Sequence, residues 1–256
     1  MWPFSKKKHS LLDSGLLQGM TDFHCHILPG VDDGVQTMDE ALHTLQELEK
    51  LGIQELWLTP HIMEDYPNTP ADLRRRFDDL NVQCSILNVQ CFPTLHLAAE
   101  HMLDSLFSQC LAKNEVLPIS LDKDSSHPLP TSSPLLLVET SYFNPPMNLY
   151  DQLDEITHCG YTPLLAHPER YTYMHTSDYR RLHEMGVLFQ LNLLSLCGAY
   201  GGDALHKSRH LLSEGLYTCY GTDLHNLDDF LGYASDRCLK PEEVSKIKGL
   251  NNYRFC

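Results

Sequence analysis

The chain has 256 residues, 42% of them hydrophobic, and a formal net charge of −15 from 34 acidic against 19 basic side chains. That length and apolar share fit one large domain with a substantial core, and the acidic field repels phosphate backbones, which argues against non-specific nucleic-acid binding. The nine cysteines are odd in number, scattered and without a Cys-x-x-Cys pair, so reduced thiols in a cytoplasm fit better than a disulfide framework or a zinc knuckle.

No apolar run approaches the ~18 residues of a membrane span, so stable membrane insertion is not expected. Residues 1–10 hold two aromatics and then Lys6, Lys7 and Lys8, with no apolar segment of signal-peptide length after them. Residues 1–19 therefore read as a flexible, solvated extension, and residues 20–256 as one domain.

In chain order, residues 20–27 read as a strand leading into a loop rich in Pro, Gly and Asp. Apolar side chains at Met38, Ala41, Leu42, Leu45, Leu48 and Leu51 have helical spacing, with Gly52 as a stop. Residues 53–59 form a second strand closed by Pro60, and residues 71–87 a helix. Residues 94–99 are a third strand, residues 122–134 a Ser/Pro loop, and residues 135–140 a buried strand. A helix over 149–158 ends at Gly160. Strands at 162–166 and 187–193 flank a short helix at 178–185. A helix over 204–214, a last strand at 216–221 and a helix at 241–248 complete the chain. Alternating strands and helices of this kind argue for a parallel sheet, either closed or doubly wound.

Metal-type residues recur where these strands end. His24 and His26 end the first strand, His61 follows the second and Glu100 the third. Glu139 ends the strand at 135–140, His167 follows the strand at 162–166, and Asp223 and His225 follow the last. Asp33 lies in the loop after the first strand. In a closed α/β barrel all strand C-termini open onto one face, so these residues would converge there. Alone, each signal is weaker. His24 and His26 share a strand face, yet such pairs are often not ligands, and Cys25 between them points into packing. Asp32-Asp33-Gly34 reads equally well as a turn. Glu100 and Glu139 end apolar runs, where a bare carboxylate is costly unless paired or metal-bound. Mixed imidazole and carboxylate donors suit Mn, Fe or Zn better than Mg or Ca. Arg170, just past His167, can grip two phosphate oxygens or make a surface ion pair. Glu169 reads as a support for its neighbours, and the Tyr171, Tyr173 and Tyr179 cluster as packing. The remaining histidines lack a strand-end motif, and Arg74, Arg75 and Arg76 fit a solvated helix face. No cysteine is followed six positions later by arginine, which excludes thiolate phosphatase chemistry of the Cys-x5-Arg kind.

The run from Asp22 to Gly34, Asp-Phe-His-Cys-His-Ile-Leu-Pro-Gly-Val-Asp-Asp-Gly, resembles the opening of the polymerase-and-histidinol-phosphatase (PHP) superfamily. Within it, the chain is most similar to the metal-dependent tyrosine phosphatases of bacterial capsule and exopolysaccharide operons, the CpsB/YwqE type. Thr59-Pro60-His61, Ala99-Glu100, Val138-Glu139-Thr140, Ala166-His167-Pro168-Glu169-Arg170-Tyr171 and Gly221-Thr222-Asp223-Leu224-His225-Asn226 match its later motifs in order. The resemblance implies a distorted TIM-like (β/α)7 barrel and two or three divalent metal ions, manganese foremost. It assigns His24, His26, Glu100 and Asp223 to one ion. Glu100 as a bridge, Glu139 and His167 go to a second, and Asp33, His61 and His225 to a third, with Arg170 binding the substrate phosphate. It further implies hydrolysis of phosphotyrosine by a metal-activated hydroxide, and a partner in the tyrosine-rich tail of a cytoplasmic tyrosine kinase. A small-molecule phosphatase of the histidinol-phosphate type, a phosphodiesterase and a non-enzymatic metal-binding scaffold are the alternatives. The chain departs from the pattern at Ile62, where many members carry a second histidine, and in the roughly twenty residues before His24, which leave the oligomeric state open.

Overall fold

The computed structural model describes residues 7–87, 92–120 and 131–250. Nine strands and eight α-helices alternate along them. The strands are β1 (Thr21–Cys25), β2 (Glu55–Leu58), β3 (His61–Ile62), β4 (Thr94–Leu97), β5 (Glu100–Met102), β6 (Leu135–Glu139), β7 (Thr162–Ala166), β8 (Leu188–Asn192) and β9 (Tyr217–Gly221). The helices are α1 (Met38–Lys50), α2 (Pro70–Ile86), α3 (Ser105–Ala112), α4 (Leu149–His158), α5 (Thr176–Glu184), α6 (Gly201–Glu214), α7 (Leu227–Ser235) and α8 (Pro241–Leu250). Local chemistry sets several ends. Thr37 caps α1 in a reciprocal capping box with Glu40, Thr69 caps α2 with Pro70 in its first turn, and Gly215 ends α6 at φ +73°.

All strand pairs are parallel, in two sheets ordered β1-β2-β4 and β3-β5-β6-β7-β8-β9. Pro60 separates β2 from β3, because proline cannot donate to the ladder, and Ala98 and Ala99 separate β4 from β5. Each pair is one strand bent from the first sheet into the second, so the sheet has seven strand positions. The ring closes where β1 meets the segment after β9. Cys25 bridges Leu224 in parallel, the amide of His26 donates to the carbonyl of Leu224 at 2.9 Å, and that of Asp223 donates to the carbonyl of His24 at 2.8 Å. The sheet alternative left open by the sequence is thus resolved in favour of the closed, distorted ring.

Strand alternation divides the core in two. Trp57, Leu135, Leu137, Leu164 and Ala166 pack together inside the ring with Phe23, Leu188 and Cys219. Leu56, Leu58, Leu136, Val138, Leu165, Phe189, Leu191 and Tyr220 belong to the larger cluster shared with the helices. The inner series runs on into polar groups. Leu135 and Leu137 continue to Glu139, Leu188 continues to Gln190 and Asn192, and Cys219 continues to Gly221 and Asp223. The site is the uppermost layer of the ring's interior.

Two helices, α3 and α7, were not anticipated. Residues 121–130 of the expected Ser/Pro loop lie outside the described residues. The loose extension expected over 1–19 does not hold for residues 9–19. His9 pairs with Leu239, the amide of Leu12 donates to the carbonyl of Ala234, and Leu11, Leu16 and Leu17 are buried. Three leucines in one short segment supply enough apolar area to hold it against the body. Among the described residues no helix is long and apolar enough to cross a membrane. Leu16→Ala should lower unfolding free energy by about 2–5 kcal/mol in a urea titration; an unchanged midpoint would mean that the segment is not part of the folded unit.

Candidate metal centre

The two imidazoles of the first strand are oriented from behind. Gln190 Oε1 lies 2.7 Å from His24 Nδ1, and its amide nitrogen donates to the carbonyl of Phe23, which fixes the oxygen toward the ring. Asp32 Oδ2 lies 2.8 Å from His26 Nδ1 and also accepts the amide of His61. Both Nδ1 atoms therefore carry the proton, and both Nε2 lone pairs point into the site. They face one another at 3.0 Å. Two lone pairs held that close repel unless a proton or a cation stands between them.

Carboxylates surround this point. Glu100 Oε2 is 3.2 Å from His24 Nε2, 3.4 Å from His26 Nε2 and 3.3 Å from His61 Nδ1, while its Oε1 lies 3.0 Å from His167 Nε2. Asp223 Oδ1 lies 3.4 and 3.5 Å from the same two histidines of the first strand. Glu139 Oε1 is 3.2 Å from His61 Nδ1, and Asp33 Oδ1 is 3.5 Å from both His61 Nε2 and His225 Nε2. All nine residues singled out from the sequence are brought together.

Three sets of donor atoms lie within 4.8 Å of one another: His24, His26, Glu100 and Asp223; His61, Glu100 and Glu139; and His26, Asp33, His61 and His225. They differ slightly from the assignment implied by the resemblance. His26 belongs to two sets, and His61 presents one ring nitrogen to each of two. His167 reaches Glu100 closely but stands 3.9 Å from Glu139. The donors fit divalent cations in a further respect. Glu100 Oε2 and His61 Nδ1 are buried without a hydrogen-bond partner, which is costly for such groups unless something else occupies their lone pairs.

Electrostatics agree. Burial pushes the His24 imidazole down, but Glu100 and Asp223 outweigh it and raise it to about 9. Burial likewise opposes His61 and His225, and neighbouring carboxylates raise them to about 10 and about 9. Glu100 is driven up by burial, yet His24, His167 and His26 hold it well below the usual carboxylate range. The pocket is thus anionic enough to hold extra positive charge, as protons on its imidazoles or as metal ions. Strain accompanies it. Among the described residues only Asn114, His167 and Asp223 are non-glycine residues at positive φ, and two of those three are in the site.

Arg170 follows His167 in a one-turn 3-10 segment, Pro168–Arg170. Its Nη1 donates to Asp223 Oδ2 at 2.7 Å, and its guanidinium is sandwiched between Tyr142 at 4.3 Å and Tyr200 at 4.0 Å. Asp223 Oδ2 also accepts from Asn192 at 2.9 Å, and Asn192 donates to the Tyr200 hydroxyl. One carboxylate thus faces the histidines with one oxygen and the arginine with the other. Above them opens a cleft of about 360 Å³, whose lining includes Leu194, Ala199, Tyr200, Asp229, Phe230 and Tyr233.

The discounted residues behave as packing. The Cys25 thiol is buried and donates to the carbonyl of Trp57, His101 is buried between backbone groups, and Tyr171 and Tyr179 are buried. Glu169 accepts from the Asn192 amide and the Tyr217 hydroxyl, which is the supporting role expected. Ile62 is buried and takes no part in the site. Sequence reasoning missed Asp32, Gln190, Asn192, Tyr142 and Tyr200. Gln190 and Asn192, two polar residues at i and i+2 closing an apolar strand, were the available signal.

A parallel α/β ring with clustered imidazoles and carboxylates on its open face defines a metal-centre protein of the barrel class. The chain belongs to the capsular polysaccharide synthesis family CpsB/CapC, whose model matches residues 20–230. It is 28% identical to the tyrosine-protein phosphatase YwqE of Bacillus subtilis over 81% of this chain and 78% of that protein. With the tyrosine-protein phosphatase CpsB of Streptococcus pneumoniae it shares 26% identity over 90% of this chain and 94% of that one. A crystal structure from a study of YwqE and S. pneumoniae CpsB, described there as metal-dependent tyrosine phosphatases, superposes with a TM-score of 0.71. The identity is 25%, over 91% of this chain and 86% of that one.

Removing the carboxylate behind His26 by Asp32→Ala should weaken Mn²⁺ binding by about 10–100-fold in a chelator competition, as loss of an orienting partner commonly does. Undiminished affinity would show that Asp32 serves only the loop.

Proposed function

We infer that the chain is a metal-dependent protein-tyrosine phosphatase acting in capsular or exopolysaccharide synthesis. The observation that carries this reading is the pair of Nε2 lone pairs of His24 and His26, converging beside Glu100 and Asp223 and next to Arg170. Support comes also from the family and from the relatives named tyrosine phosphatases. The nine clustered residues are the ligands in this reading: His24, His26, Asp33, His61, Glu100, Glu139, His167, Asp223 and His225. The mixed donor set suits Mn, Fe or Zn, and the family resemblance puts manganese first among them. When bound, the ions supply Lewis acidity and lower the pKa of a water.

The chain's own groups do the rest. Arg170 grips the phosphoryl oxygens, and Asp223, Tyr142 and Tyr200 hold its guanidinium ready, so little side-chain freedom is lost on binding. Asp33, half exposed at the mouth, and His225 stand at the edge where the substrate enters. Tyrosine leaves as a phenolate with pKa near 10, so the site needs no strong acid opposite the leaving oxygen. The substrate proposed is the tyrosine-rich tail of a cytoplasmic tyrosine kinase of the same export system, and the free thiols fit that compartment.

Metal removal with a chelator should abolish hydrolysis of a phosphotyrosine peptide, with recovery on adding Mn²⁺. His24→Ala should lose both metal and activity. Arg170→Ala should keep its metal and raise KM for the peptide by about tenfold or more, the loss of one charge-assisted contact. Histidinol phosphate as the better substrate would move the assignment to the small-molecule type. A fully metal-loaded protein inert toward both would favour a scaffold.

A further inference from the structure

Helix α7 begins directly behind the last of the metal-type motifs. Asn226, next to His225, caps the helix by accepting the amide of Asp229 at 3.1 Å. The segment after β9 therefore positions both the histidine and the helix. On α7, Phe230 lies on the buried face, while Asp229 and Tyr233, four positions apart, share a flank. All three line the cleft that also holds Asp33, Arg170 and His225. The helix packs on the 3-10 turn Leu193–Cys197, and that stretch of chain brings Leu194, Ala199 and Tyr200 to the same cleft.

The cleft is polarised by these residues. Imidazoles, carboxylates and Arg170 supply its charged part, whereas Leu194, Ala199, Phe230 and Tyr233 supply apolar and aromatic surface. Arg170 is the only lysine or arginine in the lining, and Asp229 on α7 is exposed and repels a phosphate. A phosphate ester therefore enters with its phosphoryl group at Arg170 and the rest of the molecule toward α7. Leu194 and Phe230 are buried at 6% and 1% exposure, but Tyr233 is 40% exposed. An aromatic ring left so open beside a buried apolar floor has surface to give to a flat apolar partner. The cleft volume of about 360 Å³ is near the lower end of the ~300–1,000 Å³ usual for ligand pockets. That is room for a phosphoryl group and one ring, not for a folded segment.

We propose that Tyr233 is a specificity-determining residue. With Leu194, Ala199 and Phe230 it seats the aromatic ring of an aryl phosphate whose phosphoryl group is held at Arg170, and so selects aryl over alkyl esters. The proposal rests on the phosphatase reading above for the phosphoryl end and adds the groups that recognise the other end. An alkyl ester such as phosphoserine brings no ring to this surface and is held by its phosphoryl oxygens alone.

The test uses the full, manganese-loaded chain and two small probes, benzylphosphonate and propylphosphonate, which share a charged head and differ in the ring. Neither has an ester bond to hydrolyse, so calorimetry reads their affinity whether or not the chain turns over. The unaltered chain should bind benzylphosphonate more tightly. Tyr233→Ala should lose about three- to tenfold in affinity for benzylphosphonate, the scale of one aromatic contact. Its affinity for propylphosphonate and its metal content should stay as they were, and KM for a phosphotyrosine peptide should rise by a similar factor. Tyr233→Phe, which keeps the ring, should match the unaltered chain. Equal binding of both probes by the unaltered chain, an equal loss on both in Tyr233→Ala, or a Tyr233→Phe as weak as Tyr233→Ala would each overturn the seat. A loss confined to the peptide would overturn it too, because Tyr233 would then read a neighbouring side chain of the substrate. A chain that shows the ring preference yet hydrolyses no phosphotyrosine peptide would count against the phosphatase reading and leave the seat standing.

Discussion

Everything functional in this chain depends on the seam where the ring closes. Two backbone hydrogen bonds between the end of β1 and the segment after β9 bring residues 24–26 beside residues 223–225. Buried Asp22 reinforces them by accepting the amide and hydroxyl of Thr222. Burial raises that carboxyl to about 6, a sign of how dry the seam is. Without it, the histidines of the first strand and the acid and histidine of the last would sit on opposite edges of an open sheet. Glycine is required there as well. A Cβ on Gly221 would lie 2.5 Å from that of His24, so the close approach of the two strands excludes any side chain.

The site is built in shells, and the outer one does as much as the inner. Gln190 and Asp32 decide which nitrogen each imidazole presents, Asn192 and Asp223 decide where Arg170 stands, and Glu169 anchors Asn192 through its amide. A carboxylate such as Asp223, shared between the imidazole cluster and the guanidinium, couples two halves of the chemistry. Whatever charge occupies the centre is felt by the clamp through one side chain.

Much of this was legible in the sequence, and the reasons can be given residue by residue. The helix at Leu149–His158 and the strand at Thr162–Ala166 fall where their patterns place them, because strong periodicity is bounded by Gly160 and by the strand-end histidine. The grouping of nine imidazole and carboxylate residues was readable because eight of them stand at or just after a predicted strand end and Asp33 lies in the loop after the first strand, and a parallel ring sends all strand ends to one face. Helix α3 was hidden by its shortness and by apolar residues on most sides, although Asp104 caps it. Helix α7 was hidden behind the motif that precedes it, although Asn226 caps it. Asp32 was disguised as a turn residue. Gln190 and Asn192 carry no charge to attract notice, and the sandwich of Arg170 between Tyr142 and Tyr200 joins positions that no local pattern relates. Pro60 reads as a strand end, and only the pairing of β3 with β5 shows the strand continuing beyond it.

The strap between the two ends of the chain bears on biosynthesis. His9 pairs with Leu239, and Arg237 donates to the carbonyl of Lys8 across 229 positions. The first strand finds β2 early, but the segment after β9 that closes the ring on it lies 200 positions on, and the partner of His9 is as distant as Leu239. Such long-range closure is slow relative to local helix formation. During translation the closing edge of the first strand must wait unpaired until the segment after β9 has left the ribosome.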